Sequence, residues 1–151
     1  MPTPQSTQSP ATEGTTRAWL RNPATGEVAR VNVAPFQTGG RRIEVDLWLQ
    51  PGAAVAGAHV HDHLVERFEV LEGAIALKVG HERSVVLAGE SFDIPRGTPH
   101  TMGPSGGPAR VRWEVRPALR TEQFLTEMPE DFSARLAHVQ RYAAEIRLAG
   151  F

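Results

Sequence analysis

The chain of 151 residues contains no cysteine. Disulfides are therefore excluded, and so are thiolate nucleophiles and thiolate metal ligands. Its charges almost balance, with 16 Lys and Arg against 17 Asp and Glu and a formal net charge of −1. Because binding to nucleic acid or to an anionic membrane needs a concentrated basic face, the composition predicts neither partner.

Long apolar runs are also missing. No stretch approaches the roughly 18–20 residues needed to span a bilayer, and the first ten residues lack the basic and apolar regions of a secretory signal. We therefore expect a cytoplasmic location. A hydrophobic content of 40% over this length suits one domain that buries a sizeable core.

Short alternating segments fill most of the chain. Residues 17–21 and 28–33 flank a turn-rich link and predict an N-terminal hairpin. Residues 42–50 and 110–116 alternate apolar and polar side chains, which is typical of strands with one buried face. The alternation separates two faces of each strand but leaves open which of them faces the interior.

The period changes to helical after Pro117. Thr121 is a candidate cap for a short helix that reaches Met128, and Asp131 or Ser133 for a longer one. We expect this amphipathic pair to pack on the outside of the β domain or across a dimer interface. The predicted organisation is a disordered arm at 1–16, a β domain at 17–117 and a helical appendage at 118–151.

Four side chains suited to metal binding are spaced along two segments. His59 and His61 are two residues apart in a predicted strand, so both imidazoles project from one face. Glu66 opens the next strand after a connection of four residues, and its carboxylate can return towards them. His100 follows a rigid Pro95-Arg-Gly97 turn and is the fourth candidate ligand. His63, His81 and His138 are interpreted as surface residues.

These two segments resemble the two motifs of the cupin superfamily. Its first motif reads G-x5-H-x-H-x3/4-E-x6-G, and His59, His61, Glu66 and Gly73 match it. Its second motif reads G-x5-P-x-G-x2-H-x3-N. The second motif is matched at Gly89, Pro95, Gly97 and His100.

The resemblance is incomplete at both motif edges. Gly52 lies six rather than five residues ahead of His59, and Pro104 stands in the place of the motif's Asn. Neither position ligates metal in the motif. The departures therefore concern the turns and leave the metal ligands untouched.

The resemblance implies an all-β fold, a double-stranded β-helix or jelly-roll barrel, here followed by C-terminal α-helices. It implies a homodimer and one divalent transition metal in the barrel lumen, held by His59, His61, Glu66 and His100. Three imidazoles and a carboxylate suit Fe, Mn, Ni, Co, Cu or Zn, and the ligand set does not choose among them.

Three classes of function stay open. The first is a metal-dependent enzyme of the dioxygenase or isomerase and cyclase kind, acting on a small oxygen-bearing molecule with Glu66 as the catalytic proton acceptor. The others are a non-enzymatic module that binds or senses a small molecule, and a structural or storage barrel. Four charged residues on the predicted strands could supply further acid or base groups, although charged strand residues usually point outwards into solvent: Glu44, Asp46, Arg112 and Glu114. Trp48, Phe68, Met102 and Trp113 are candidates for an apolar pocket wall, although ordinary core packing explains them equally well.

Overall fold

Two antiparallel sheets form the computed structural model of this chain, which describes residues 19–22, 27–51, 57–129 and 134–149. The strands are β1 (Trp19–Asn22), β2 (Glu27–Val33), β3 (Ile43–Leu49), β4 (His59–Val60), β5 (Val65–Glu72), β6 (Ala74–Val79), β7 (Glu82–Leu87), β8 (Ser91–Ile94), β9 (His100–Pro104), β10 (Ala109–Arg116) and β11 (Arg147–Leu148). A 3-10 helix (Pro35–Thr38) and the helices α1 (Thr121–Thr126) and α2 (Arg135–Arg141) complete the described elements.

The strand order shows how the sheets are built. One sheet has six strands in the order β1-β2-β3-β10-β5-β8, and the other has five in the order β11-β4-β9-β6-β7. The chain passes repeatedly between the two, as expected for the predicted double-stranded β-helix. The fold class is therefore confirmed, and so is the N-terminal hairpin, because Trp19 of β1 pairs with Arg30 of β2.

The alternation on β3 shows which face lies inside. Ile43, Val45, Leu47 and Leu49 are buried in the core, where apolar area removed from water contributes about 25 cal/mol per Å². The intervening residues point to the outer face of the six-stranded sheet. The core thus lies between the two sheets, and the lumen opens from it.

Gly73 makes the turn between β5 and β6 possible. Its φ of +78° lies in the left-handed region, and a Cβ atom there would lie only 2.4 Å from the carbonyl oxygen of Pro108. No other residue type fits this backbone without displacing the neighbouring strand. The motif glycine therefore serves the sheet geometry and not the metal centre.

The C-terminal segment differs from the expectation of an external appendage. β11 extends the five-stranded sheet by pairing with β4, with Arg147 opposite Val60, so the boundary at 118 does not separate helices from barrel. The apolar side chains of the helices are instead turned towards the lumen. α1 ends at Thr126 rather than Met128, and the expected caps at 131 and 133 lie outside the described residues, as does the arm at 1–16.

His138 is a second correction, because it is 2% exposed and not a surface residue. Its Nε2 atom donates a hydrogen bond of 2.9 Å to the carbonyl oxygen of Phe124, and its ring packs against Phe124 and Tyr142. This cluster joins α1 to α2. No helix in the described part of the chain has the length and apolar character needed to cross a membrane.

Candidate metal centre

Three histidines converge between β4 and β9. His59 lies in β4 directly opposite His100, the first residue of β9. His61 is the residue immediately after β4. One ring nitrogen from each of the three lies within 4.8 Å of the other two. All three residues are buried, so the sequence spacing brings the predicted imidazoles to one enclosed place.

The backbone sets the orientation of each ring. Nδ1–H of His59 donates to the carbonyl oxygen of Gly57 at 2.7 Å, and that of His100 donates to Thr98 at 3.0 Å. Nδ1–H of His61 donates to the carbonyl oxygen of Glu145 at 2.6 Å. Since Nδ1 carries the proton in all three rings, Nε2 has the free lone pair that a metal ion needs.

Glu66 brings a carboxylate to the same place. Its Oε1 atom lies 3.2 Å from Nε2 of His61 and 3.1 Å from Nε2 of His100. These distances are short, but the atoms are not aligned for hydrogen bonding, and both Oε1 of Glu66 and Nε2 of His61 are buried without a hydrogen-bond partner. Buried polar atoms that lie close together without hydrogen-bond partners are what a shared cation would satisfy.

The second oxygen of the Glu66 carboxylate is held by Trp113. The indole Nε1–H donates to Oε2 at 2.8 Å, and the indole ring stacks near Phe68 with centroids 6.1 Å apart. An indole nitrogen can only donate, so this contact favours the ionised carboxylate. It also leaves Oε1 directed at the histidines.

The protonation tendencies in the site reflect burial and the neighbouring charges. Burial lowers the pKa of His59 to about 4, and the neighbouring His100 adds to that effect. Burial would raise the pKa of Glu66, but His100 and His61 outweigh it and hold that pKa well below its usual range. Burial also opposes protonation of His61, yet the carboxylate of Glu66 leaves its pKa raised. Near neutral pH the site thus presents a carboxylate and a neutral His59.

The donor set fits a divalent transition metal. Imidazole nitrogens and a carboxylate oxygen together suit Fe, Mn, Ni, Co, Cu and Zn, and the hydrogen bonds from Nδ1 supply the outer support that such ligands usually have. His59, His61 and His100 form the mutually close group, and Glu66 stands beside it within 3.2 Å of two members.

A cavity of about 560 Å³ opens beside these residues. Of the four predicted wall residues, it is lined by Phe68, Met102 and Trp113. Trp48 is not among the lining residues. It lies on the outer face of β3, where its ring centroid is 5.2 Å from that of Trp19, because the phase of the strand turns Leu47 inwards and Trp48 outwards.

The strand residues considered as further acids or bases also lie on that outer face. Arg112 and Asp46 are joined by a hydrogen bond of 2.9 Å from Nε to Oδ1, and Glu44 and Glu114 both approach Arg42. None of the four lines the cavity. Of the predicted acids, Glu66 is the one that lies beside the histidines, with Oε1 3.1 Å from Nε2 of His100.

The sequence did not indicate the contribution of the C-terminal segment. Phe124, Val139 and Ile146 line the cavity, and Glu145 provides the carbonyl oxygen that orients His61. The Glu145 carboxylate in turn accepts hydrogen bonds from Arg120 at 3.0 and 3.2 Å. A helical period identifies an apolar stripe, but it carries no information about which surface that stripe covers.

Glu27 and Arg135 also line the cavity and were not identified from the sequence. A usable signal was present at Glu27. It stands in phase with Ala29 and Val31, which are buried, so a charged side chain was placed on an apolar strand face.

Comparison with known proteins agrees with this geometry. A family profile described as a cupin domain matches residues 47–114. That range contains all four predicted ligands and both motifs. A search of curated protein sequences gives no match.

Solved structures with the same fold include KdgF from Halomonas sp., with a TM-score of 0.60 at 17% identity, covering 70% of this chain and 90% of that one. An RmlC-like cupin from Shewanella frigidimarina gives a TM-score of 0.58 at 19% identity over 73% and 91% of the two chains. A putative ethanolamine utilization protein Q from Salmonella typhimurium gives 0.54 at 19% identity, covering 66% and 79%. At these identities the likeness concerns the fold alone.

Proposed function

We propose that this chain, a small cupin-domain protein, binds one divalent transition metal through His59, His61, His100 and Glu66 and acts as a metal-dependent enzyme. Its substrate would be a small oxygen-bearing organic molecule in the lumen, and the reaction would be of the dioxygenase or isomerase and cyclase kind. The observation that carries the proposal is the unsatisfied contact between Oε1 of Glu66 and Nε2 of His61, buried beside a cavity.

The metal would supply Lewis acidity or activation of oxygen. The chain itself supplies orientation and a proton acceptor. The Oε1 atom of Glu66 lies 3.1 Å from Nε2 of His100, so a substrate hydroxyl bound beside the histidines would have this carboxylate as its proton acceptor. Trp113 holds the other carboxylate oxygen at 2.8 Å, which keeps the acceptor atom in place.

Exclusion of water supports the same role. Glu66 is 4% exposed and His100 is 1% exposed, and apolar side chains of the C-terminal helices line the cavity beside them. Electrostatic interactions strengthen when water is excluded. A proton transferred to Glu66 would therefore be held close to the substrate and not lost to solvent.

The experiment compares Glu66→Gln with the wild type at matched metal occupancy. Glutamine keeps the shape and removes the charge, so we expect substantial metal retention but loss of most turnover, whereas His61→Ala loses the metal. Turnover is followed by oxygen uptake and by NMR on a panel of catechols, enediols and hydroxyketones. Equal activity of Glu66→Gln and the wild type would eliminate the proton-acceptor role.

A module that binds or senses a small molecule is the second candidate. It is favoured by the position of the four strand candidates, which lie on the outer face of the sheet and do not line the cavity. Catalysis that needs two proton-transferring groups would then be unavailable. Calorimetric binding of a panel compound without any turnover would select this function.

We also propose that the protein is a homodimer. The sheets end in edge strands, and Val85 and Leu87 on the edge strand β7 are 56% and 55% exposed, which is costly in a monomer. Light scattering at micromolar concentration should give about twice the chain mass of 16.5 kDa. A monomeric mass would refute the dimer.

A further inference from the structure

The cavity beside the histidines has a mainly apolar wall. Thirteen of the 22 residues that line it carry apolar side chains. A phosphorylated or polyhydroxylated sugar would leave many of its polar groups without partners there, and each such group costs about 1–3 kcal/mol. The wall fits a molecule whose body is hydrocarbon or aromatic.

Two opposite charges interrupt this wall. Glu27 begins β2 and Arg135 begins α2, and both line the cavity. Burial raises the pKa of Glu27, and the positive charge of Arg135 opposes that rise. The two side chains carry opposite formal charges and line the same cavity, and we call them the Glu27/Arg135 patch.

Glu27 of the patch is distant from Glu66 along the six-stranded sheet. The residue that follows Glu27 pairs with Trp48, near the end of β3. Glu66 instead pairs with Val115, which pairs with Ile43 at the start of β3. The interval from Ile43 to Trp48 corresponds to roughly 16 Å of extended strand. A ligand that contacts both places must therefore be elongated.

We propose that the Glu27/Arg135 patch recognises a neutral hydroxyl at one end of an elongated, mainly apolar ligand. This inference rests on the proposed function, because the other, oxygen-bearing end would lie at the histidines. A hydroxyl can donate to the carboxylate of Glu27 and accept from the guanidinium of Arg135 at once. A carboxylate would instead add a second negative charge beside Glu27.

The test uses the metal-loaded full-length protein and displacement of the fluorescent probe N-phenyl-1-naphthylamine. Three series of competitors are compared at each chain length from octanoate to tetradecanoate: the plain fatty acid, the ω-hydroxy acid and the α,ω-diacid. At the fitting length we expect the ω-hydroxy acid to bind about tenfold more tightly than the plain acid, as one or two charge-assisted hydrogen bonds allow. The diacid should bind no better than the plain acid.

Variants assign that preference to the patch. The double variant Glu27→Leu/Arg135→Met should bind plain and hydroxylated acids equally. The matched control Glu82→Leu/Arg83→Met changes the same residue types on exposed positions of β7 that do not line the cavity, and it should keep the wild-type ratio. Should the double variant fold poorly in thermal unfolding, the single variants Glu27→Gln and Arg135→Gln replace it, and each should reduce the ratio.

Three results would overturn the subsite: equal binding of hydroxy and plain acids at every length, tighter binding of the diacid, or an unchanged preference in the double variant. Displacement by none of the acids, with one metal bound per chain, would overturn the subsite and leave metal binding standing. Failure to bind metal would overturn the proposed function alone. The same three series of competitors, applied to the metal-free protein, would then test whether the patch recognises a hydroxyl.

Discussion

Two buried carboxylates lie on opposite faces of the six-stranded sheet, and they differ in how completely they are neutralised. Asp46 on the outer face is fully buried. It accepts hydrogen bonds from Asn32 at 2.8 Å, Arg112 at 2.9 Å, Arg110 at 3.0 Å and Arg30 at 3.3 Å. Burial would raise the pKa of Asp46, but these donors outweigh it and lower that pKa.

Glu66 on the lumen face is surrounded differently. One oxygen accepts from Trp113, while the other faces imidazole nitrogens without a hydrogen bond. A buried charge is normally paired or bound to a metal. Asp46 therefore belongs to a cluster whose hydrogen bonds are complete, whereas Glu66 keeps one buried oxygen without a hydrogen-bond partner, which a bound cation would satisfy.

The largest effect on folding is expected at Asp46. Asp46→Ala leaves three arginines without their shared partner and should lower the free energy of unfolding by about 3 kcal/mol. The control variant Asp93→Ala removes an exposed ion pair with Arg67. The Asp93 side chain is 67% exposed and the Arg67 side chain 55%, so the free energy of unfolding should fall by at most about 1 kcal/mol. Urea unfolding of both variants in the presence of a chelator gives the comparison, and equal losses would show that the outer cluster is not structural.

A smaller effect is expected at the lumen from Trp113→Phe. Phenylalanine keeps the stacking area but cannot donate to Oε2 of Glu66, so metal affinity should fall about tenfold, as is usual when an outer partner of a ligand is lost. Trp48→Phe on the outer face is the matched control and should leave the affinity unchanged. Competition with a chromogenic chelator measures both, and equal affinities in the two variants would remove Trp113 from the metal centre.

The smallest effect concerns pH in the metal-free protein. The pKa of His59 is lowered from 6.5 to about 4, so between those values the unfolded chain binds a proton that the folded chain does not. Stability should therefore fall with decreasing pH by about 1 kcal/mol per unit. The raised pKa of His61 acts oppositely: its contribution is complete below pH 6.5 and is lost as pH rises through the folded value. The lowered pKa of Glu66 adds a further loss of stability only below about pH 4.5.

These signs predict a stability maximum near pH 6.5. Urea unfolding as a function of pH, with a chelator present, measures it. In His59→Asn, the free energy of unfolding should depend less on pH below the maximum, and its dependence above the maximum should be unchanged. An unchanged acid side in that variant would mean that His59 is not the group responsible.

Much of the metal centre could be predicted from the sequence because its geometry is local. The spacing of two residues predicted that His59 and His61 project together, and they do so although β4 ends at Val60; the Pro-x-Gly turn brings His100 to the start of β9. The alternation of β3 and β10 likewise predicted strands. In each case the relevant physics acts within a few residues.

The remaining features depend on contacts distant in sequence. Alternation could not tell that Trp113 faces the lumen and Trp48 the outside, since both strands carry a tryptophan in an alternating run. A helical stripe could not tell that Ile146 lines the lumen. Nor could the sequence show that the Glu145 carbonyl, 84 positions from His61, would orient that ligand.

The histidines and Glu66 are proposed to hold one divalent transition metal. Elemental analysis of protein offered Fe, Mn, Ni, Co, Cu and Zn in turn measures this occupancy. We expect about one equivalent per chain for at least one of these metals, and close to none in His59→Ala/His61→Ala, while Asp93→Ala binds like the wild type. Stoichiometry near zero for every metal, or unchanged binding in the double variant, would contradict the account.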